Sequence, residues 1–420
     1  MLMESKVLDN QYNIIAFLCA LIVPLMITGP FLPDLFLSLL SVGFIFYCIK
    51  KKIFYVYQNI YFYFFILFCV ICVICSIFSD DLFLSFQSSL FYFRIGIFAC
   101  LLRFLIEKNT NIHNYFYKIF IITFSVVAVD GYFQFFNQVN LLGLPLQYVG
   151  STPRVSSFFG DETILDSYLA RLFPLFFALF TIKEKKTKKE IFFIMLLFVV
   201  IDVLIFLGGS RTSFLFLNIS SLFIILFISK YKLFRLISFI VSFFIILLIV
   251  NNDNRLKTRY IDGPIESMGL NKAEKSLIIF TPAHDSSIRT AFNIFKDNPF
   301  IGVGPKLFRV KCSEKKYATG VLPCNSHPHN FYAQLLAETG LMGFLILLGL
   351  FIYILVKMFH HTKNMIFRKN NLISDYNICL LAGVLITVWP FSPNGNFFNN
   401  HLMIFYSLTF GFFYNVKKKI

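Results

Sequence analysis

Long unbroken runs of apolar residues constrain this chain more than any other feature of its sequence. A helix needs roughly 20 apolar residues to cross the ~30 Å hydrocarbon core of a bilayer. The chain is 57% hydrophobic and only 14% charged, which excludes an ordinary soluble protein. The runs predict an all-α polytopic membrane protein with about twelve transmembrane helices. They lie near residues 12–28, 31–49, 58–78, 84–106, 115–136, 163–182, 191–208, 212–229, 236–252, 332–358, 373–391 and 400–416.

The basic residues orient these helices. The formal net charge is +16, and most lysines and arginines lie in alternate connections, for example residues 50–52, 183–189 and 417–419. The short connections on the other side hold only Arg154 and Arg211. Because cytoplasmic loops are enriched in Lys and Arg, this pattern predicts that both termini are cytoplasmic. It also accounts for the positive charge without a nucleic-acid partner.

One connection breaks the pattern of short loops. Residues 253 to about 331 form a long polar stretch between the ninth and tenth predicted helices. The sequence therefore predicts three parts: residues 1–252 with helices 1–9, an outer extramembrane domain at 253–331, and residues 332–420 with helices 10–12. Within the polar stretch, residues 285–299 have the capping and amphipathic pattern of a helix that ends at Pro299.

Cysteines and histidines show no spacing typical of a metal site. Cys312 and Cys324 lie in the outer polar stretch, and their spacing suits a disulfide in an oxidising compartment. The other seven cysteines lie in apolar runs, as small packing residues do. His284, His327 and His329 lack a matching set of acidic or thiolate ligands, so we predict no metal.

His329 is the candidate general base. It follows Pro328 where the polar stretch enters the tenth apolar run, so we expect it at the start of a helix. The positive end of a helix dipole lowers the pKa of a nearby histidine and favours its neutral, proton-accepting form. A capping or interfacial histidine would occupy the same position without a catalytic role.

Arginines at the outer ends of the apolar runs are candidate ligands for an anion. Arg211 lies in a short turn between two predicted helices, and Arg289 lies near the apolar face of the amphipathic helix. Guanidinium groups suit bidentate contact with phosphate oxygens, so this pair would hold a pyrophosphate. Arg154 lies in a loop that would line a substrate entrance. Arg211 and Arg289 would equally serve as interfacial arginines at lipid headgroups.

Two further arginines, Arg94 and Arg171, lie inside or near the ends of apolar runs. A charge at membrane depth is costly and therefore suggests a function. The alternative is an ion pair with a carboxylate on a neighbouring helix, such as Asp130 or Asp166.

The residues that follow the candidate base carry a family signature. His329-Asn330, nine residues and then Gly340-Leu341-Met342-Gly343 are similar to the His-Asn-x9-Gly-x-x-Gly signature of the O-antigen ligase and polymerase family. Arg289 and the segment 298–304 also resemble the helix and turn that precede the histidine in that family. About twelve membrane helices, a large periplasmic loop and outer-face arginines agree with the resemblance, which implies a GT-C-like fold.

The resemblance implies an activity and a location. It implies an inverting, metal-independent and cofactor-free transfer of an undecaprenyl-diphosphate-linked O-antigen glycan to a lipid A-core sugar hydroxyl, in lipopolysaccharide biosynthesis. It also implies a multi-pass protein of the bacterial inner membrane whose active site faces the periplasm.

The resemblance also assigns roles to residues. His329 resembles the base that deprotonates the acceptor, while Arg211 and Arg289 resemble the groups that hold the leaving pyrophosphate. The candidate substrate-binding residues are Arg154, Asn330 and His327. Pro328 separates two histidines that are adjacent in some ligases, which is a departure from the family pattern.

Other functions remain open at this point. A polymerase would add the glycan to another lipid-linked repeat, and a protein glycosylase would add it to a protein hydroxyl. A polysaccharide or lipid transporter belongs to a different class and usually places its charged residues at mid-membrane. Here the unusual residues gather at the outer face, which favours an enzyme.

Overall fold

The computed structural model describes residues 2–108, 110–150, 152–183, 185–267, 280–367 and 372–413, with side chains from residue 10 onwards. Most of these residues are helical. The helices are α1 (Leu2–Leu25), α2 (Phe31–Lys51), α3 (Ile60–Ile77), α4 (Leu82–Ser89), α5 (Phe93–Glu107), α6 (Ile112–Asn137), α7 (Leu165–Ile182), α8 (Lys188–Leu207), α9 (Arg211–Phe227), α10 (Lys232–Asn252), α11 (Asn254–Lys257), α12 (Gly263–Ser267), α13 (Pro282–Asp297), α14 (Phe308–Lys311), α15 (Phe331–Ile366), α16 (Asp375–Thr387) and α17 (Asn400–Phe413). Strands β1 (Gln147–Val149) and β2 (Thr152–Arg154) pair antiparallel, with Tyr148 opposite Pro153.

Within these described ranges, nine helical segments are long and apolar enough to cross a membrane. They are Asn10–Thr28, Phe31–Lys51, Ile60–Ile77, Leu82–Glu107, Ile112–Asn137, Leu165–Ile182, Lys188–Leu207, Lys232–Asn252 and Phe331–Ile366. The shorter apolar helices α9 and α16, together with α17, occupy the remaining predicted positions. A mostly helical polytopic membrane protein is therefore confirmed, whereas the number of twelve crossings stays a prediction.

The long helices alternate in direction, so the loops that follow α1, α6, α8, α10 and α16 lie at one end of the bundle. The long polar stretch after α10 lies at this end. Its assignment to the periplasm and the division into three domains stay predictions. The basic cluster at 417–419, used above to orient the chain, lies outside the described residues, as do residues 268–279 of the polar stretch.

Helix α7 is the centre of the bundle. Almost every side chain from Leu165 to Phe180 is buried, and after Arg171 the helix is apolar on all faces, as expected for a central helix. Phe177 stacks on Phe198 of α8, with ring centroids 5.3 Å apart, and Phe180 stacks on Phe234 of α10 at 5.1 Å. Rigid aromatic contacts of this kind hold α7 in place, which matters because its first turns carry part of the site described below.

Outer helices expose large apolar side chains instead of burying them. Phe46 on α2 is 68% exposed, and Phe244 and Leu248 on α10 are 60% and 63% exposed. In water such surfaces would be costly, but they match the hydrocarbon that surrounds a membrane protein.

The charges within the helices find specific partners. Arg94 pairs with Asp34, with nitrogen and oxygen 2.5 Å apart, and not with either of the carboxylates proposed from the sequence. Asp130 instead accepts hydrogen bonds from Ser157 Oγ at 2.6 Å and from the backbone N–H of Leu141 at 2.8 Å. Asp130 therefore ties the outer loop to α6.

Part of the polar stretch packs into a small unit on α13 and the start of α15. Its apolar centre contains Ile288, Ile294, Leu307 and Phe308. Cys312 and Cys324 form a disulfide within it, with Cα atoms 4.8 Å apart. The unit covers one side of the residues that precede α15, including the candidate base.

Candidate active site

A cavity of about 920 Å³ opens at the end of the bundle where the polar stretch lies. It lies between the beginnings of α7, α9 and α17 on one side and the segment before α15 on the other. Five guanidinium groups line it: Arg154, Arg171, Arg211, Arg259 and Arg309. Four imidazoles also line it: His284, His327, His329 and His401. Glu162 and Asp166 are the carboxylates that line it within the described residues, so positive charge dominates and the cavity suits an anion.

Three of these arginines meet around the turn between α8 and α9, and we call Arg154, Arg211 and Arg259 the arginine cluster. Arg211 donates from Nε to the backbone carbonyl of Arg259 at 2.8 Å, and Arg259 donates from Nε to the carbonyl of Gly209 at 3.0 Å. Arg154 donates from Nε to the carbonyl of Gly208 at 2.9 Å. These contacts use one nitrogen of each group and fix its direction.

The backbone of this turn allows the close approach. Gly209 has a φ of +77°, and a Cβ there would lie 2.8 Å from Cγ of Arg154. A Cβ on Gly208 would lie 2.9 Å from the carboxyl carbon of Asp166. Glycines are therefore required for steric reasons at both positions.

Asp166 is already bound within the protein. One carboxylate oxygen accepts a hydrogen bond from the Ser210 N–H at 2.8 Å, and the same oxygen lies 3.7 Å from Arg154. A single carboxylate cannot neutralise three guanidinium groups. Burial lowers the pKa of Arg259, and the nearby charges of Arg211 and Arg154 lower it further. Bound anionic oxygens would relieve this repulsion.

His329 lies directly before α15 and lines the cavity. Its φ is +56°, an uncommon conformation for a residue other than glycine, and its carbonyl accepts a hydrogen bond from the Asn394 N–H at 2.7 Å. Among the residues that the structure describes, none hydrogen-bonds a ring nitrogen of His329. Burial lowers the pKa of His329, so the ring is neutral near pH 7 and able to accept a proton.

His329 lies between two other imidazoles. Its ring centroid is 4.2 Å from that of His327 and 5.0 Å from that of His284. His327 donates from Nε2 to the carbonyl of Asn394 at 3.2 Å, which leaves Nδ1 to accept from Ser326 Oγ at 2.9 Å. Burial, followed by the charge of His329, lowers the pKa of His327 to about 3. His327 therefore stays neutral, and its ring packs against that of the candidate base.

Asn330 caps α15 and does not line the cavity. Its side-chain oxygen accepts hydrogen bonds from the N–H groups of Tyr332 and Ala333, at 3.0 and 3.1 Å. Its amide nitrogen donates to the carbonyls of Pro390 and Ser392, at 2.8 and 3.3 Å. These contacts position the backbone of His329, whereas the predicted contact of Asn330 with substrate has no support in this geometry.

The signature glycines explain how α15 is supported below the base. Gly340 interrupts α15 with φ 60° and ψ −159°, and residues 299–304 pass alongside the break. Leu341 N–H donates to the Pro299 carbonyl at 2.8 Å, and Val303 N–H donates to the Ala337 carbonyl at 2.9 Å. A Cβ on Gly340 would overlap the carbonyl group of Phe300. The signature at residues 329–343 and the segment 298–304, which both resemble the family, thus pack directly on each other.

The structure separates Arg289 from the other predicted site residues. Arg289 donates from Nε to Asp285 at 2.6 Å, and 55% of its side chain is exposed. It is absent from the cavity lining. The sequence places Arg289 beside Arg211, but the structure brings Arg154 and Arg259 to that position instead.

Several residues of the site have no signal in the sequence. Arg259 and Arg309 lie in the polar stretch without a motif, and His401 lies at the start of the last apolar run. Asn394 contacts three residues of the site. Its N–H donates to the His329 carbonyl and its own carbonyl accepts from the His327 ring. Its side-chain Oδ1 accepts from Nη2 of Arg171 at 3.3 Å. These contacts depend on chain segments far apart in sequence, so only a composition rich in Asn near 394–400 could have hinted at them.

Comparison with known proteins supports the family prediction. Residues 191–348 match the family model described as O-antigen ligase. This range runs from α8 to the middle of α15 and includes Arg211, Arg259, His329 and both signature glycines. The predicted resemblance is thereby confirmed over these residues. No curated protein matches the chain.

Proposed function

From the match of residues 191–348 to the O-antigen ligase family, we propose that this protein is an O-antigen ligase. It transfers an O-antigen glycan from a lipid-linked diphosphate, undecaprenyl diphosphate, to a sugar hydroxyl of lipid A-core. The observation that carries the proposal is the meeting of a neutral, half-buried histidine and several guanidinium groups on the walls of one cavity.

The donor diphosphate binds the arginine cluster. Arg154, Arg211 and Arg259 each spend one nitrogen on a backbone carbonyl, which leaves other N–H groups to contact phosphate oxygens. Two negative charges would replace the repulsion among these groups by attraction. The cluster thus stabilises the charge that develops on the leaving group.

The acceptor hydroxyl binds on the side of His329. A ring nitrogen takes the hydroxyl proton while the hydroxyl oxygen forms a bond to the anomeric carbon of the donor sugar. The bond between that carbon and the diphosphate oxygen breaks, and the electron pair leaves with the diphosphate. Attack from the face opposite the leaving group inverts the anomeric centre, and proton transfer to a positioned base requires no metal.

In this proposal Arg289 contributes less to donor binding than the arginine cluster does. Its charge is paired with Asp285, so contact with the donor requires that this ion pair first break. His284 lies on the same helix and lines the cavity, so Arg289 lies about one to two helical turns beyond the cavity wall.

The lipopolysaccharide banding pattern of a deletion strain tests the proposal. Wild-type protein should restore long glycan on lipid A-core, whereas His329→Ala and Arg211→Ala, expressed to the same level in membranes, should leave bare core and accumulated lipid-linked glycan. Core capped by a single repeat would identify a polymerase instead. Unchanged bands in the deletion strain would remove the protein from this pathway.

A further inference from the structure

Arg171 presents a charge that the proposed reaction does not use. It lies on α7, six residues after Leu165, which places it about 9 Å along the helix from its first residue. Its side chain is 4% exposed. No ion pair joins it to a carboxylate within the described part of the chain. A buried guanidinium at this depth is costly unless something compensates its charge.

The protein satisfies this guanidinium only in part. Nε donates to Ser167 Oγ at 3.2 Å and Nη2 donates to Asn394 Oδ1 at 3.3 Å. The group also lies over the ring of Phe216, 4.9 Å from its centroid. Nη1 is buried and has no hydrogen-bond partner. Because Arg171 lines the cavity, a ligand is the partner that this nitrogen lacks.

His401 has the same property. It is 8% exposed, it lines the cavity, and neither of its ring nitrogens has a hydrogen-bond partner. Its ring packs edge-on against Phe405, with centroids 5.4 Å apart. Other buried polar atoms in the described residues also lack a hydrogen-bond partner, but Arg171 and His401 are the residues among them that line the cavity. Native proteins pair nearly all such groups, so a ligand in the cavity would complete both.

The surroundings of this pair are apolar. Phe216 on α9 lies against Arg171, Phe405 on α17 lies against His401, and Leu215 and Leu402 line the same cavity. The arginine cluster and His329, by contrast, lie among polar loops at the ends of the helices. A ligand that spans the cavity would therefore meet an anion site with apolar walls at one end and a second anion site among polar groups at the other.

We infer that Arg171 and His401 form an inner subsite that holds the phosphate next to the lipid of the donor, while the arginine cluster holds the phosphate next to the sugar. This inference rests on the proposed function, because it assumes a lipid-linked diphosphate donor. Arg171 donates from Nη1 to a phosphate oxygen, and His401 donates from one ring nitrogen. The hydrocarbon chain of the lipid then lies along the apolar side chains.

A binding experiment with the full-length protein in detergent micelles tests the subsite without glycan transfer. Radiolabelled undecaprenyl phosphate, which carries a single phosphate, is the probe. Arg171→Gln should weaken its binding by about tenfold, the loss of one charge-assisted contact, whereas Arg211→Gln should weaken it by less than about threefold. Undecaprenyl diphosphate should lose affinity with either variant.

Further variants separate binding from folding. His401→Phe keeps an aromatic ring against Phe405 and removes no hydrogen bond within the protein, so it should fold and bind the probe more weakly. Arg171→Lys should recover part of the lost affinity. Lys296→Gln, an exposed substitution on α13 outside the cavity lining, should bind as wild type does.

Three results would overturn the inference: wild-type affinity in both Arg171→Gln and His401→Phe, equal loss in Arg211→Gln, or displacement of the probe by phosphatidylglycerol as effective as by unlabelled undecaprenyl phosphate. The last result would identify an ordinary headgroup as the ligand. A failure of the proposed function would show differently, as glycan transfer retained by His329→Ala while the binding pattern stays as expected.

Discussion

Substitution of Gly340 by alanine tests whether the signature glycine is required by the packing of α15. A Cβ at this position would overlap the carbonyl group of Phe300 and lie 2.7 Å from the Ile301 nitrogen. The backbone conformation, φ 60° and ψ −159°, is one that glycine adopts almost alone, and another residue pays about 1–3 kcal/mol for it.

The crossing segment would also have to move. Its displacement would weaken the hydrogen bond from Leu341 N–H to the Pro299 carbonyl, 2.8 Å long, and that from Gly304 N–H to the Glu338 carbonyl, 2.9 Å long. Each such bond contributes about 1 kcal/mol. Together with the backbone term, the free energy of unfolding should fall by about 3 to 5 kcal/mol.

Gly349→Ala is the matched control. Gly349 lies on the same helix, and no heavy atom lies within 4 Å of a Cβ placed there. Its replacement should be neutral or stabilising by up to about 1 kcal/mol, because alanine favours helix.

The assay is thermal loss of the monodisperse protein in detergent, followed by size-exclusion chromatography, together with complementation of the deletion strain. Gly340→Ala should melt well below wild type and fail to restore glycan on the core, while Gly349→Ala should do neither. The steric explanation is refuted if Gly340→Ala melts within about 2 °C of both other proteins.

Four further outcomes follow from the site. Because burial lowers the pKa of His329, the profile of kcat/KM against pH, which reports the free enzyme, should have its acidic midpoint below pH 6.5, and a midpoint at or above 6.5 would contradict the assignment of the base. Arg211→Lys should lower transfer by at least about tenfold, since the single nitrogen of lysine lacks the planar fork that contacts the Arg259 carbonyl from one nitrogen and phosphate oxygens from the others; wild-type rates would exclude this role. Arg289→Ala should reduce transfer less than Arg211→Ala does, and an equal or larger loss would show that the donor draws Arg289 into the cavity. Asn330→Ala removes the helix cap and the hydrogen bonds to the Pro390 and Ser392 carbonyls, so its free energy of unfolding should fall by about 2 kcal/mol, and melting at the wild-type temperature would show that these contacts contribute nothing.

The helices could be predicted from the sequence because membrane crossing is a local requirement. A run of apolar residues must form its own backbone hydrogen bonds in hydrocarbon, so a helix appears at each predicted position. The position of His329 could be predicted as well, since it precedes such a run and begins the family signature, whereas its role as a base stays a prediction. Partners across the bundle could not be predicted. The pairing of Arg94 with Asp34 depends on how α2 packs against α5, which no local pattern encodes.

The same limit applies to the arginine cluster. Arg154 and Arg211 stand out because they lie in short connections, but Arg259 is one of several basic residues in a long polar stretch. Its place is set by Tyr260, whose hydroxyl donates to the Phe206 carbonyl at 2.7 Å and whose ring stacks on Phe206. Arg289, by contrast, has a suggestive position in the sequence, and its helix directs it to Asp285.

The charges around the cavity bear on both parts of the proposed site, the anionic donor and the neutral base. Helices α7, α9, α15 and α17 all begin at the cavity, so the positive ends of their dipoles add to the guanidinium groups. Burial, and then the charges of His329 and Arg211, lower the pKa of His284 to about 4, which shows the sign of the field beside the base. Burial alone lowers the pKa of His329, so its neutral form does not depend on these charges. Under the proposed function, a bound diphosphate would place negative charge beside His329, and nearby negative charge raises the pKa of an imidazole. The base would then take the proton of the acceptor hydroxyl more readily in the donor complex than in the free protein.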